Sequence, residues 1–482
     1  MRMIQFKRYI VPIVVVILFM TAIYLRLYSL EQPFEPVQGW NAGHYMVIAK
    51  NFDSYGWLNP VSYENILHFS VPPFYSWIMK ISISFSKSEL FARFPSVIFG
   101  LLSIAIIYII GKELYNKKFA LLSSLIFALV PMHLLMSKKV LVDISMLFFM
   151  ILSLYFFIRF YKKNTHMDLI LSSFFLGLAI LTKQPSAGLI FIYLFIIFKH
   201  KKEQLKTSIT IILTLSLLPF ILLSISQPGF LSSIKTEGSR IFIFPNQTAE
   251  IAVYGLSPLI AIFSFIGLYH ALKQIDWRTE IITLWFIIYF IFFAVKMPSG
   301  HMHYLIPVIP ATVFLSVIFM EKLMKSFRIV ILIILFASII FTDIIVLKAM
   351  YSYDNRFVEL RNFMMPRLNR DSKIFLISDG GAAPLVAYYM NRTVRNIYPG
   401  RSDPPSFVIN HAMPIDYYHF DGASNETLNK ISSGYLITSP SGMPENMKIW
   451  LSTKKLLKRI EAKPIDIWVM SVQPQSIEIY EV

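Results

Sequence analysis

The chain has 482 residues, of which 56% are hydrophobic and only 15% charged, with a formal net charge of +17. Repeated runs of about twenty apolar residues read as transmembrane helices, and the short loops between them hold most of the cations, so membrane insertion accounts for the charge and no nucleic-acid partner is expected. Zero cysteines exclude disulfides, thiolate metal sites and a cysteine nucleophile.

In chain order, a basic head, MRMIQFKRY, precedes an apolar run over 10–27. No small-residue cleavage site follows, so this run is expected to be a retained anchor. Residues 31–91 form a long first loop. Within it Tyr45, Ile48, Ala49 and Phe52 recur at amphipathic-helix spacing, bordered by Asn41 and His44 and ended by Gly56. Its many Trp and Tyr residues suit the headgroup zone, which predicts a half-submerged helix at the membrane surface. Residues 78–85 are apolar but too short to span. Further spans are predicted near 92–111, 119–136, 141–159, 168–182, 186–198, 207–226, 251–272, 280–296, 302–320 and 328–350, about eleven in all with the first.

Alternate loops carry the positive charge: Lys7 and Arg8, Lys117 and Lys118, Lys162 and Lys163, Lys201 and Lys202, Lys273 and Arg278, Lys322 and Arg328. These are the expected cytoplasmic loops. The N-terminus is then cytoplasmic, and the first loop, the turns near Asp143, Lys183 and His303, and the C-terminal tail are external. From about residue 351 the composition changes to that of a soluble domain. KIFLIS, GYLITSP, IDIWVMSV and SIEIYEV read as strands, and 356–368, 382–391 and 443–456 as helices. The predicted organisation is a multi-pass cell-membrane domain over 1–350 and an extracytoplasmic α/β domain over 351–482. The Ser378-Asp379-Gly380-Gly381 stretch after the first strand has the look of a phosphate-binding turn, but one Gly pair does not set it apart from a tight strand-to-helix turn, which is the favoured reading.

The candidate chemistry lies at the external ends of the spans. Asp143 opens one apolar run close to Lys138 and Lys139, and an acid at a membrane boundary is functional when it faces the bundle. The alternative is a helix cap, which Ser or Thr would serve without a carboxylate, so the functional reading is favoured. Lys183 and Arg93 border other runs, where they either snorkel or grip an anionic headgroup. His301 and His303 share a turn, and His68 precedes Pro72-Pro73. A two-histidine metal site there is a weak reading, so the metal is left unassigned.

Taken together, several strings resemble the GT-C membrane glycosyltransferases of the protein O-mannosyltransferase and lipid A aminoarabinose-transferase type. They are Tyr45-x-x-Ile48-Ala49-Lys50-Asn51, Gly56-Trp57-Leu58-x-Pro60, Pro72-Pro73-Phe74-Tyr75, Arg93-Phe94-Pro95-Ser96, Gly111-Lys112-Glu113-Leu114, Asp143 and the run from Gly177 to Pro185, with Tyr304 and Pro307-x-x-Pro310 after the histidines. The resemblance covers roughly 10–320. It implies a GT-C fold and transfer of a hexosyl or pentosyl unit from a polyprenyl-phosphate sugar to an external acceptor, whether protein, lipid or glycan. The membrane lipid is a further partner, and a divalent cation an optional one. Lys183 and Arg93, with His44, Tyr45, His68, His301 and His303, are the residues expected to bind donor and lipid phosphate.

One departure matters. The resemblance places a catalytic Asp four residues before Tyr45, and this chain has Asn41 there. An amide cannot accept a proton at neutral pH. Glu35 and then Asp53 are the nearest replacements, and Asp143 corresponds to the second external acid. The alternative implied is a catalytically inactive relative that binds lipid-linked sugars or scaffolds an assembly.

Overall fold

The computed structural model describes residues 2–481 apart from 35–38, 63–66, 68, 70, 228, 232–247, 297–301, 351–354, 370–371, 378–382, 392–394, 400–418, 421–433, 439–444, 462–464, 468–469 and 473–475. Two compact units emerge. One comprises Met1–Leu30, Arg93–Gln227 and Ser239–Lys348, the other Glu31–Ala92, Pro228–Gly238 and Ala349–Val482.

The first unit is built of helices. Among the described residues, Glu89–Leu114, Val142–Lys163, Lys202–Ser226, Trp277–Val295, Met302–Lys322 and Phe327–Ile345 are long and apolar enough to cross a membrane. Shorter apolar helices, Val15–Leu27, His166–Thr182, Gln184–His200 and Pro258–Lys273, lie among them. Large apolar side chains such as Ile17, Phe191, Ile225 and Ile333 are exposed, which suits lipid rather than water. The chain is a multi-pass membrane protein.

Two runs expected to be single spans are broken, each at a proline. Helix Lys117–Leu129 stops because Val130, ahead of Pro131, takes an extended ψ of 122°, and Pro131–Met136 starts afresh. Ser257, with φ of 78°, similarly separates Thr248–Leu256 from Pro258–Lys273. Small and hydroxylated residues let neighbouring helices approach. A Cβ on Gly267 would collide with the Leu315 carbonyl oxygen. Ser153 bonds the Ser172 carbonyl at 2.8 Å and the Tyr193 hydroxyl at 2.9 Å, fastening three helices. At the ends that carry the basic loops, Arg159 pairs with Asp168 at 3.1 Å and Lys162 with Glu113 at 2.5 Å. Glu280 takes both Lys199 and His200 there.

The second unit contains a six-stranded sheet. Its strands, in chain order, are β1 (Lys373–Ile377), β2 (Arg395–Pro399), β3 (His419–Phe420), β4 (Gly434–Thr438), β5 (Lys455–Ile460) and β8 (Ile477–Glu481); β6 (Ile465–Ile467) and β7 (Met470–Val472) form a separate hairpin. The order is β3-β2-β1-β4-β8-β5. β1 runs parallel to β2 and β4, and β8 antiparallel to β4 and β5. Ile374, Phe375 and Leu376 are all buried, the continuous apolar run that a central parallel strand requires. The IDIWVMSV stretch, expected as one strand, folds back as β6 and β7. Helix Glu445–Ser452 ends early enough for β5 to begin at Lys455, inside the helix expected over 443–456. The Ser378–Gly381 turn lies outside the described residues.

Helices Gly39–Tyr55 and Phe74–Phe85 belong to this same unit. The expected apolar stripe is buried, with Tyr45, Ile48, Ala49 and Phe52 at most 5% exposed. Gly43, His44, Met46 and Val47 are buried as well, so the helix is enclosed on most sides rather than half-submerged. The reason is a neighbour that no local pattern announces. Helix Ala383–Met390, between β1 and β2, lies against it so closely that a Cβ on Gly43 would sit 2.6 Å from the Pro384 carbonyl carbon. Phe34 completes the contact, donating its backbone N–H to the Tyr389 hydroxyl at 3.1 Å.

Candidate active site

In the first unit, three of the sequence-selected residues converge. Asp143 is the second residue of helix Val142–Lys163 and 1% exposed. Lys183 follows helix His166–Thr182 in extended conformation (φ −159°, ψ 130°), which turns its side chain out of the helical path. Its ammonium donates to Asp143 Oδ1 at 2.8 Å. On the other oxygen, His303 Nε2 lies 4.0 Å from Asp143 Oδ2. Tyr304 closes the group, its ring 4.5 Å beneath the Lys183 nitrogen and stacked on His303.

The frame around this group is tied by hydrogen bonds. Ser186 donates its backbone N–H and hydroxyl to the Lys183 carbonyl, at 3.3 and 2.9 Å. Tyr289 donates to the Pro185 and Ser186 carbonyls at 3.3 and 3.2 Å, and Trp285 holds the Pro307 carbonyl at 2.6 Å. Thus the Lys183 turn and the His303 segment are both anchored to helix Trp277–Lys296. Just before Asp143, Lys138 and Lys139 are themselves buried in the 137–141 turn. Gly100 admits that turn against helix Glu89–Leu114, since a Cβ there would meet Ser137 Oγ at 2.5 Å.

Arg93 is also fully buried, and its Nη1 donates to the Leu30 carbonyl at 2.6 Å. That contact pins the end of the first helical segment. In the second unit, His44 is buried and stacked on Trp40 at 4.7 Å, while Tyr45 packs edge-on against Tyr75 at 4.9 Å. Asn41 lies one turn before Tyr45 on the same helix. Asp53 is engaged by Lys80 at 2.5 Å. Glu35, His68 and His301 lie outside the described residues. Among the described residues, no three metal-ligating side chains cluster.

Sequence reasoning missed a further buried cluster. Arg26, fully buried, donates to the Ala22 and Ala128 carbonyls at 2.8 and 2.9 Å and meets His133 Nδ1 at 3.0 Å. The signal was available: an arginine inside an apolar run is costly unless something receives it.

Comparison with known proteins fits this architecture. The family described as dolichyl-phosphate-mannose-protein mannosyltransferase matches residues 70–225, a stretch that includes Arg93, Asp143 and Lys183. An uncharacterized protein of Aquifex aeolicus (strain VF5) is 25% identical over 321 residues, and this alignment spans 62% of each chain. In fold, the chain is similar to the apo structure of ArnT from Cupriavidus metallidurans, with TM-score 0.71, 15% identity and coverage of 96% of this chain and 97% of that one. ArnT bound to undecaprenyl phosphate gives the same TM-score and coverage at 14% identity. The Archaeoglobus fulgidus oligosaccharyltransferase gives 0.64 at 15% identity, covering 90% of this chain and 70% of that one. The chain has the GT-C fold, and its resemblance to the GT-C glycosyltransferases is borne out.

Proposed function

We propose that the chain is a glycosyltransferase that moves a sugar from a polyprenyl-phosphate carrier to an acceptor at the outer face of the membrane. The observation that carries this reading is the buried Asp143–Lys183 pair, with His303 beside it, in a GT-C fold. That a structure of ArnT holds undecaprenyl phosphate supports a lipid-linked donor.

The chemistry follows from the groups. An acceptor hydroxyl oxygen attacks the anomeric carbon while the bond from that carbon to the carrier phosphate breaks. The electron pair leaves on the phosphate, so the departing group needs positive charge rather than a proton. Lys183 supplies that charge, with Arg93 as the second candidate. The acceptor proton passes to a carboxylate. Asn41 cannot take it. Asp143 is therefore assigned either as the base, through the oxygen facing His303, or as the group that holds Lys183 in place; Glu35 is the alternative base. The donor unit is a hexose or pentose, and the acceptor a protein, lipid or glycan.

The accompanying topology is about eleven spans with a cytoplasmic N-terminus and an external C-terminal domain, the orientation supported by the alternating charge of the loops. Purified protein incubated with a panel of polyprenyl-phosphate sugars and candidate acceptors is expected to release the carrier phosphate with at least one donor. Silence with every donor, alongside saturable donor binding, favours the inactive binding-protein reading that Asn41 suggests.

A further inference from the structure

We propose that the basic-loop end of the first unit holds a second site, one that takes the headgroup of an anionic membrane lipid. A cavity of about 640 Å³ opens there, lined by Tyr115, His270, Lys273, Gln274, Asp276 and Lys322 among others. Its walls are the turn after helix Glu89–Leu114, the turn between Pro258–Lys273 and Trp277–Lys296, and the end of Ile309–Lys322. His303 and Lys322 stand at opposite ends of the Met302–Lys322 segment. At 1.5 Å per helical residue, that separates the cavity from the Asp143 group by roughly 30 Å.

The polar lining favours an anion. Lys273 and Lys322 supply two cations, and Arg278 lies over the Tyr115 ring at 5.9 Å. Lys322 is steadied by the Gln274 side-chain carbonyl at 2.6 Å. Of the two acids, Asp276 is already committed to the start of the next helix. Its Oδ1 accepts the backbone N–H groups of Arg278 and Thr279 at 3.1 and 2.8 Å, and its Oδ2 lies 3.8 Å from Arg278 Nε. Its charge is thus answered locally. Glu321 is exposed, as Lys273 and Lys322 are, and offsets only part of their charge. The Tyr115 hydroxyl, buried from solvent beside the cavity, has no hydrogen-bond partner among the described residues.

The surroundings favour a lipid over a soluble phosphate. Ile275, which lines the cavity, is 59% exposed, and Leu272 and Met324 beside it are 50% and 65% exposed. A soluble anion has no use for that apolar rim, whereas acyl chains cover it. Lys273 rests 4.5 Å over the Tyr269 ring, the pairing of cation and aromatic side chain found at headgroup depth. Basic pockets between transmembrane helices are established lipid-headgroup sites in general.

The test uses the full chain, delipidated and returned to phosphatidylcholine nanodiscs, with phosphatidylglycerol as the probe and retained lipid counted by native mass spectrometry. The parent is expected to retain phosphatidylglycerol in preference to phosphatidylcholine. Lys273→Gln/Lys322→Gln should weaken that retention about tenfold or more, the scale of a lost charge-assisted contact. Tyr115→Phe should weaken it less, and Lys162→Gln, whose partner is Glu113, should leave it unchanged. Melting temperatures matched to the parent in phosphatidylcholine alone establish that the variants fold. Equal retention of the two lipids, or full retention by the double variant, overturns the site. Displacement of phosphatidylglycerol by millimolar inorganic phosphate overturns the assignment to lipid.

Discussion

Lys183 Nζ donates to Asp143 Oδ1 at 2.8 Å across 40 residues of sequence, and both side chains are almost wholly removed from solvent. Removing one member of such a pair leaves an uncompensated buried charge, which costs about 3–5 kcal/mol, whereas replacing both with apolar groups is far milder. Asp143→Leu and Lys183→Met are each expected to lower the unfolding midpoint, and the double variant to recover much of the loss. Strictly additive losses would mean that the two residues are not coupled.

The second relationship is steric. A Cβ at Gly43 would press on the Pro384 backbone at 2.6 Å, whereas one at Gly39 meets only the tip of Leu385 at 3.3 Å. Alanine improves helix propensity by about 1 kcal/mol at an interior position such as Gly43, and by less at Gly39, the first residue of the helix. Overpacking against backbone costs about 1–3 kcal/mol. Gly43→Ala should therefore destabilise, and Gly39→Ala should be neutral or slightly stabilising, as read by thermal unfolding. The reverse ranking would contradict the packing described for this helix.

Lys50 titrates within reach of experiment. Its nitrogen lies 4.5 Å over the Tyr388 ring and 3.4 Å from Asn391 Oδ1. Burial, reinforced by Lys87 and then Arg361 and opposed by Glu89, pushes its ammonium down to about 8. An unfolded lysine titrates at ~10.4. Between these values the unfolded chain binds more protons, so the Lys50 contribution to stability rises with pH from about 8 to ~10.4 and is flat below. Subtracting the Lys50→Met stability profile from that of the parent should yield this rise. A difference with no slope in that window would contradict the burial of the amine.

Much of this was legible in the chain. Apolar runs located the helices because a membrane demands about twenty such residues in succession. Asp143, Lys183 and His303 each stood out as polar groups at the ends of those runs. What local pattern does not carry is partnership. Nothing near Asp143 names Lys183, 40 positions on, or Tyr304 beneath it. Arg26 was passed over because its receivers, His133 and the Ala128 carbonyl, lie more than a hundred residues away. The enclosure of helix Gly39–Tyr55 depends on a helix that begins at Ala383. Breaks at Pro131 and Pro258 could have been anticipated from the prolines alone.

The lack of native cysteine gives a clean background for topology. Ser54→Cys and Ser452→Cys place thiols at exposed positions of the second unit, Asn164→Cys and Lys202→Cys at exposed positions among the basic loops. On intact cells, an impermeant thiol reagent is expected to label the first two and spare the others. Labelling at Lys202→Cys from outside would contradict the orientation drawn from loop charge.

In the proposed reaction the Asp143–Lys183 group drives sugar transfer from a lipid phosphate. Its most direct measurement is carrier-phosphate release by the parent, Asp143→Asn, Glu35→Gln and Asn41→Asp at matched protein levels, with the donor that the parent uses. Asp143→Asn is expected to slow release by about 10²–10⁴-fold, the usual effect of removing a proton acceptor from a transition state. A loss confined to Glu35→Gln would move the base to the first loop. Full turnover in both Asp143→Asn and Glu35→Gln would contradict the site.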